Sequence, residues 1–168
     1  LEFRRVLFRS GYADGMAAFR GASGSVVLVC NHELEPWETH LSAFKADLSL
    51  YDRCDPQLVY DRGSDKTPLG GGTTTMVYDP KQRKTLRKHL SLAGTELNCA
   101  GGTTPWGSWL SCEEAFRDPG TSTSKRGTVT REQHHGYVFE VPSATRGMVK
   151  PEPLKDMGRF EQIGRAHV

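Results

Sequence analysis

The sequence predicts an all-β fold, and three observations lead to that prediction. Of the 168 residues, 36% are hydrophobic, and 18 glycines and 9 prolines are present, which is typical of turn-rich β structure. Apolar residues recur mainly at alternate positions, as they do in strands, and helical spacing is rare. Two strand-turn-strand patterns follow each other about sixty residues apart, which predicts serially repeated antiparallel hairpins.

The predicted elements follow in chain order. The first strand is GSVVLVCN, an apolar and β-branched run between Gly24 and Asn31. TTTMVYDPKQRKTLRKHLSL predicts a hairpin with its turn at residues 79–84, and GYVFEVPSATRGMVKPEPL repeats that plan with a turn at 142–147. GSWLSCEE is a further strand between them. Only HLSAFKADLSLY, residues 40–51, has the spacing of a helix, and residues 118–133 are expected to form a surface loop.

Serial hairpins of this kind build β-propellers, in which one blade takes about 40 to 50 residues. The sequence therefore predicts a fragment of a β-propeller, with about two to three blades. A partial propeller is not closed, so we expect its edge strands to be unpaired.

Both ends of the sequence are predicted to be foreign to the domain. The opening LEFRRVLFRS back-translates into a short-read sequencing adapter, and the closing IGRAHV back-translates into the same adapter on the opposite strand. Residues 1–10 and 162–168 are therefore expected to be adapter-derived. Residues 11–161 are expected to be a partial propeller domain of a longer protein.

The charge balance lacks the signature of a nucleic-acid-binding protein. The chain has 22 Lys and Arg against 20 Asp and Glu. Leaving out the suspected ends, which hold Arg4, Arg5, Arg9, Arg165 and Glu2, gives 18 basic and 19 acidic residues. No basic run is interleaved with aromatic residues, and no apolar stretch approaches the roughly 20 residues of a membrane helix. We therefore expect no nucleic-acid partner and no membrane segment in this part of the protein.

One short stretch, LNCAGGTTPWGSWLSCEE at residues 97–114, combines a thiol, glycines, tryptophans and two adjacent carboxylates. On a strand, Glu113 and Glu114 point to opposite faces, so one carboxylate must point toward the structure. A buried carboxylate is costly unless it is paired or bound to a metal, which favours a cation site. Cys99 precedes a glycine pair and can present a thiolate to a metal. Two solvated glutamates and a core cysteine are the alternatives.

A second segment with candidate ligands is CNHE, directly after the first strand. Oxygens of Asn31 and Glu33 suit a hard cation such as calcium, with His32 as a further candidate. The four cysteines have no C-x-x-C spacing, so neither a zinc ribbon nor a thioredoxin-like site is expected. Cys30, within the apolar run, is expected to be a small core residue or half of a disulfide.

These segments together resemble the PhoX family of bacterial alkaline phosphatases. NHE, GGGTTT, SLAGTELNCAGGTTPWGSWLSCEE, HGYVFEVP and MGRF occur in the order found in that family, over essentially all of residues 11–161. The family usually continues MGRF with one residue and then His-Glu-Ala. Here Gln162 stands where that histidine is expected, as a truncation within its codon would give.

The resemblance implies a β-propeller, periplasmic or secreted, whose iron and calcium site hydrolyses phosphate monoesters. It places the iron-ligating cysteine on Cys99 and a carboxylate ligand on Glu114 in preference to Glu113. Glu33, with Asn31, is implied near the same cluster, and the tryptophans are expected to wall the site.

Two other classes of function remain open on the sequence alone. A calcium-dependent, lactonase-like propeller hydrolase would share the metal-bearing strand ends but would not need a thiolate ligand. A non-catalytic propeller that serves as a binding module predicts no bound metal.

Overall fold

A computed structural model describes residues 11–64 and 66–161, and both predicted adapter-derived ends lie outside the described residues. The described part is all-β, which confirms the predicted fold class. Its nine strands are β1 (Ala13–Arg20), β2 (Val26–His32), β3 (Gly71–Asp79), β4 (Lys84–Thr95), β5 (Asn98–Thr103), β6 (Ser108–Glu113), β7 (Gly120–Ser124), β8 (Gly127–Arg131) and β9 (Val138–Pro142). Its helices are single 3-10 turns, and within these residues none is long and apolar enough to cross a membrane.

The strands form three antiparallel sheets. In the first sheet, β1 to β4 pair in chain order, and in the second the order is β5, β6, β9. The third is the isolated β7–β8 hairpin. Sheets built from consecutive strands are consistent with propeller blades, although the described residues form no closed propeller. In this part of the chain β1, at the edge of the first sheet, runs beside β5, at the edge of the second.

The main core lies between the first two sheets, where both present alternate apolar side chains. Because strand residues alternate between two faces, Val27 and Val29 of β2 are buried while Val26, Leu28 and Cys30 are only half-buried, although all five are apolar. The residues that pack together are Val27, Val29 and Leu92 from the first sheet and Trp109, Phe139 and Val141 from the second.

A smaller core lies on the other face of β4, under the long connection between β2 and β3. Phe44 and Val59 of that connection pack with Leu90 and Ala93. Leu90 and Leu92 would share a face in a regular strand, but the register shifts between their partners, with Ser91 as the extra residue of a bulge. The bulge sends the two leucines into different cores.

Three local predictions were wrong. Residues 40–51 contain 3-10 turns and a buried Phe44, not an α-helix. The expected loop at 118–133 contains the β7–β8 hairpin. The second strand expected after the turn at 142–147 is reduced to one bridge, between Phe139 and Pro153. The patterns also missed β1 and β5, whose alanines and glycines give little β signal.

Candidate metal centre

Three side chains that can bind a cation meet where β1, β2 and β5 adjoin. Asp14 lies in β1, Glu33 directly follows β2, and Cys99 lies in β5. One carboxylate oxygen of each acid and the cysteine Sγ lie within 4.8 Å of one another. The sequence predicted Glu33 and Cys99, but it gave no signal for Asp14, because the strand that carries it was not recognised.

Two of the three residues lie in β-bulges. The pairing of β1 with β2 shifts between Ala13 and Met16, so that Asp14 and Gly15 form a bulge. The pairing of β5 with β6 shifts between Asn98 and Gly101, which puts Cys99 and Ala100 in a second bulge. A bulge interrupts the ladder and redirects a side chain. Both bulges contribute one side chain to the same cluster.

Glu114 completes the cluster from the end of β6. Its backbone N–H donates to the Leu97 carbonyl oxygen over 2.8 Å, which ties it to the residues just before Cys99. Its carboxylate raises the pKa of the Cys99 thiol, and its charge raises the pKa of Glu33. The structure thus brings together three of the five residues predicted as ligands, Glu33, Cys99 and Glu114.

The cluster concentrates negative charge. Partial burial, then the hydrogen bond and charge of Asp14, and then the charges of Glu114 and Glu35, raise the pKa of Glu33 to about 7. Burial and then hydrogen bonds to Asp14 and Glu114 raise the pKa of the Cys99 thiol well above its usual range. The charged groups that cause both shifts are carboxylates. A bound cation would remove this repulsion and favour the ionised ligands.

Asn31 lies beside the cluster, but its amide is already fully hydrogen-bonded within the protein. Its Nδ2 donates to the carbonyl oxygens of Cys99, over 2.9 Å, and Ala100, over 2.8 Å. Its Oδ1 accepts from Trp109 Nε1 and Ser111 Oγ, both over 2.8 Å. An amide has two donor hydrogens and two acceptor lone pairs, so no capacity of Asn31 is left for a metal in this arrangement.

Glu113, the other predicted carboxylate, is fully buried and faces away from Glu114, as strand alternation requires. Its Oε1 accepts from Glu96 N over 2.9 Å, and Oε1 and His135 Nδ1 lie 2.7 Å apart. Its Oε2 accepts from the backbone N–H groups of Gly136 and Tyr137. Both oxygens are therefore occupied by protein donors.

His135 joins Glu113 to a second buried carboxylate. Its Nε2 lies 3.0 Å from Oδ2 of Asp61, and all three side chains are fully buried. Burial alone would lower the pKa of His135, but the hydrogen bonds to Asp61 and Glu113 outweigh it and raise the pKa to about 9. His135 is therefore protonated at neutral pH and neutralises part of the carboxylate charge. The sequence singled out neither Asp61 nor this role for His135.

The two tryptophans of the central stretch have different positions. Trp109 is buried, packs between the sheets and donates to Asn31, so it lies next to the cluster. Trp106 is 72% exposed and donates to Glu140 over 2.6 Å. The expectation that tryptophans wall the site fits Trp109 and does not fit Trp106.

Of the two adjacent glycines, Gly101 is the one at which a side chain would not fit, because its backbone lies against the Trp109 ring. A Cβ there would collide with that ring and with the Leu110 carbonyl oxygen. We expect Gly101→Ala to lower the free energy of unfolding by about 1–3 kcal/mol through overpacking. The neighbouring Gly102 has no atom within 4 Å of such a Cβ, so Gly102→Ala is the matched control, with a change below about 0.5 kcal/mol. Urea denaturation of both variants measures the difference, and equal midpoints would contradict the proposed close contact.

Comparison with known families gives one match. The model of the family described as alkaline phosphatase PhoX matches residues 63–164, more than half of the chain. The chain belongs to the alkaline phosphatase PhoX family. The resemblance seen in its motifs is thereby confirmed, and membership supports a phosphatase-type hydrolase. No curated protein and no solved structure matches the chain.

The PhoX match and the cluster overlap only in part. Cys99 and Glu114 lie within the matched residues 63–164, whereas Asp14 and Glu33 precede them. Membership of the two earlier residues in the site therefore depends on the geometry of β1 and β2. Glu113 lies within the matched residues. Asp61 lies two residues before the start of the match, and Asn31 lies well before it.

The donor set of the cluster fits a mixed metal site. A thiolate suits iron, and carboxylate oxygens suit calcium as well as iron. The four cysteines are free, so Cys99 is available as a thiolate ligand. Cys30 is half-buried, its thiol donates to the Asn31 carbonyl oxygen over 3.3 Å, and burial raises its pKa. Cys30 therefore has the environment of a structural thiol.

Proposed function

We propose that this chain is part of a metal-dependent phosphatase that hydrolyses phosphate monoesters at a site holding iron and calcium. The observation that carries the proposal is the meeting of a thiol and three carboxylates from four separate segments. Those residues, Asp14, Glu33, Cys99 and Glu114, are the proposed ligands. Asn31 and Glu113, which the sequence also suggested as ligands, become supporting residues in this proposal.

The charge of the substrate supports a role for metal. A phosphate monoester is dianionic, and its hydrolysis requires stabilisation of charge on the transferring phosphoryl group. Carboxylates and a thiolate cannot stabilise that charge themselves, because they are negative. When bound, the cations would polarise the phosphoryl oxygens and lower the pKa of a bound water. The side chains of the cluster would hold those cations in place, and the two bulges direct two of these side chains, Asp14 and Cys99, into the site.

The family match favours this function over the two alternatives from the sequence. A lactonase-like calcium hydrolase gives no reason for a thiol placed among carboxylates. A binding module without metal gives no reason to gather like charges in one place. We propose a periplasmic or secreted location, as is general for the PhoX family. Because the described strands form open sheets, we propose that this chain alone has no measurable turnover.

The test is metal binding by the purified chain. After exposure to iron and calcium and removal of unbound ions, elemental analysis is expected to find both metals retained, and a chelator is expected to remove them. Phosphatase activity is then measured with a chromogenic phosphate ester on the longer parent protein, before and after chelation. A chain that retains neither metal would contradict the proposal, as would a parent whose turnover survives complete removal of metal.

A further inference from the structure

We propose that Asn31 is a positioning residue that sets the direction of the Cys99 thiol by clamping the bulge in β5. This inference rests on the proposed function, because it concerns the thiol assigned there as a metal ligand. Asn31 lies in β2 directly opposite the bulge of β1, between its neighbours Cys30 and His32, which pair with Met16 and Ala13. Its side chain therefore lies between the two bulges that carry Asp14 and Cys99.

The hydrogen bonds of Asn31 hold the bulge from one side. Its Nδ2 donates to two successive carbonyl oxygens, those of Cys99 and Ala100. These are the two residues by which β5 departs from its register with β6. Since a bulge interrupts the strand ladder, its backbone groups need partners from elsewhere. One buried amide supplies both.

The orientation of the amide is fixed by its partners. Trp109 Nε1 can only donate, and the Cys99 and Ala100 carbonyl oxygens can only accept. Turning the amide over would place its NH₂ against the Trp109 N–H and its oxygen against two carbonyl oxygens. Only one of the two orientations satisfies these groups, so Asn31 and the bulge hold each other in a single arrangement.

A chain of buried hydrogen bonds supports Asn31 from the other side. Thr95 donates to Asn98 over 2.5 Å, Asn98 donates to Ser111 over 2.9 Å, and Ser111 donates to Asn31. These four side chains are fully buried. In such a chain every donor points the same way, and each bond polarises the next. The chain ends on the backbone of Cys99 and Ala100.

Gly15 of β1 packs against the same bulge of β5 and against the Asn31 amide. A Cβ at Gly15 would lie 2.5 Å from the Cys99 carbonyl oxygen and 3.3 Å from Asn31 Nδ2. Only glycine lets β1 approach this closely. The approach brings the preceding residue, Asp14, to within 4.8 Å of the Cys99 Sγ. The clamp thus positions two proposed ligands at once.

Thiol labelling tests the clamp without any metal. The chain is treated with N-ethylmaleimide under native conditions, and peptide mapping by mass spectrometry follows the labelling rates of Cys99 and of Cys112 in the neighbouring strand β6. In Asn31→Ala the ratio of the Cys99 rate to the Cys112 rate is expected to rise roughly tenfold, because two hydrogen bonds to the bulge are lost. Asn31→Leu, which has a similar volume, lacks both donor hydrogens and adds no charge beside the thiol, is expected to do the same.

The matched control is Ser91→Ala, which removes a buried hydroxyl that bonds to Thr73 in the first sheet and is expected to change the ratio less than about threefold. General destabilisation exposes both thiols together and leaves the ratio unchanged. An unchanged ratio in both Asn31 variants, whether the two rates stay slow or rise together, would overturn the proposal.

A metal-loaded measurement separates this inference from the proposed function. With Co²⁺ as the probe, the wild-type chain and Ser91→Ala are expected to give a thiolate-to-cobalt charge-transfer band, and Asn31→Leu to lose at least half of it. Absence of the band in the wild type would count against the proposed metal centre, while the labelling ratio still decides whether Asn31 positions the thiol. A full band in Asn31→Leu would contradict the clamp.

Discussion

Replacing Cys99 by serine is expected to remove most of the iron held at the proposed site and, in the full-length phosphatase proposed above, to lower turnover by at least about a hundredfold. A serine hydroxyl is similar in size but is not a soft, anionic ligand at neutral pH, so the site would lose its preference for iron. Glu114→Gln is expected to have an effect of the same order, because it removes a charged oxygen ligand. That carboxylate also raises the pKa of the Cys99 thiol.

Cys30→Ser is the matched control for this prediction. It makes the same chemical change at a thiol whose partner is a backbone carbonyl oxygen of β2. We expect it to affect stability only and to leave iron content and turnover near wild type. Elemental analysis beside kinetics on a chromogenic phosphate ester measures all three variants. Wild-type iron and turnover in Cys99→Ser would remove the proposed ligand and most of the case for this site.

The second large effect is expected on stability, from Glu113→Ala. This carboxylate accepts hydrogen bonds from three backbone N–H groups and pairs with the protonated His135, all in the interior. Truncation leaves a buried cation with only Asp61 as partner and three N–H groups without an acceptor. Breaking a buried ion pair from one side costs about 3–5 kcal/mol, so we expect a loss of at least that size in the free energy of unfolding.

A surface carboxylate provides the comparison for Glu113→Ala. Glu152 is exposed and pairs with Lys150 over 2.8 Å, and exposed pairs contribute little. Glu152→Ala is therefore expected to leave the unfolding midpoint unchanged within error. Both variants are followed by urea denaturation with circular dichroism. If Glu113→Ala unfolds at nearly the same urea concentration as the wild type, the buried cluster does not support the fold in the way described.

The adjacent residues Glu113 and Glu114 show what strand alternation can predict about burial and what it cannot. Alternation along GSWLSCEE required one carboxylate to face inward and the other outward, and the structure has Glu113 buried and Glu114 half-buried. The sequence could not say which partner would neutralise the buried one. That partner, His135, comes from a segment 22 residues later, and only the pairing of β6 with β9 brings it near.

The sequence by itself determined the all-β class, the strands β2, β3, β4, β6 and β9 and the resemblance to the PhoX family, and it predicted Cys99, Glu33 and Glu114 as ligands. Those results come from short-range properties, namely alternation, turn residues and motif order, which a linear chain displays directly. Only the tertiary structure decided that Asp14 joins the cluster and that Asn31 supports it. The reason is that both depend on bulges in β1 and β5. A bulge shifts register by one residue and redirects a side chain through contacts between strands that are distant in the sequence.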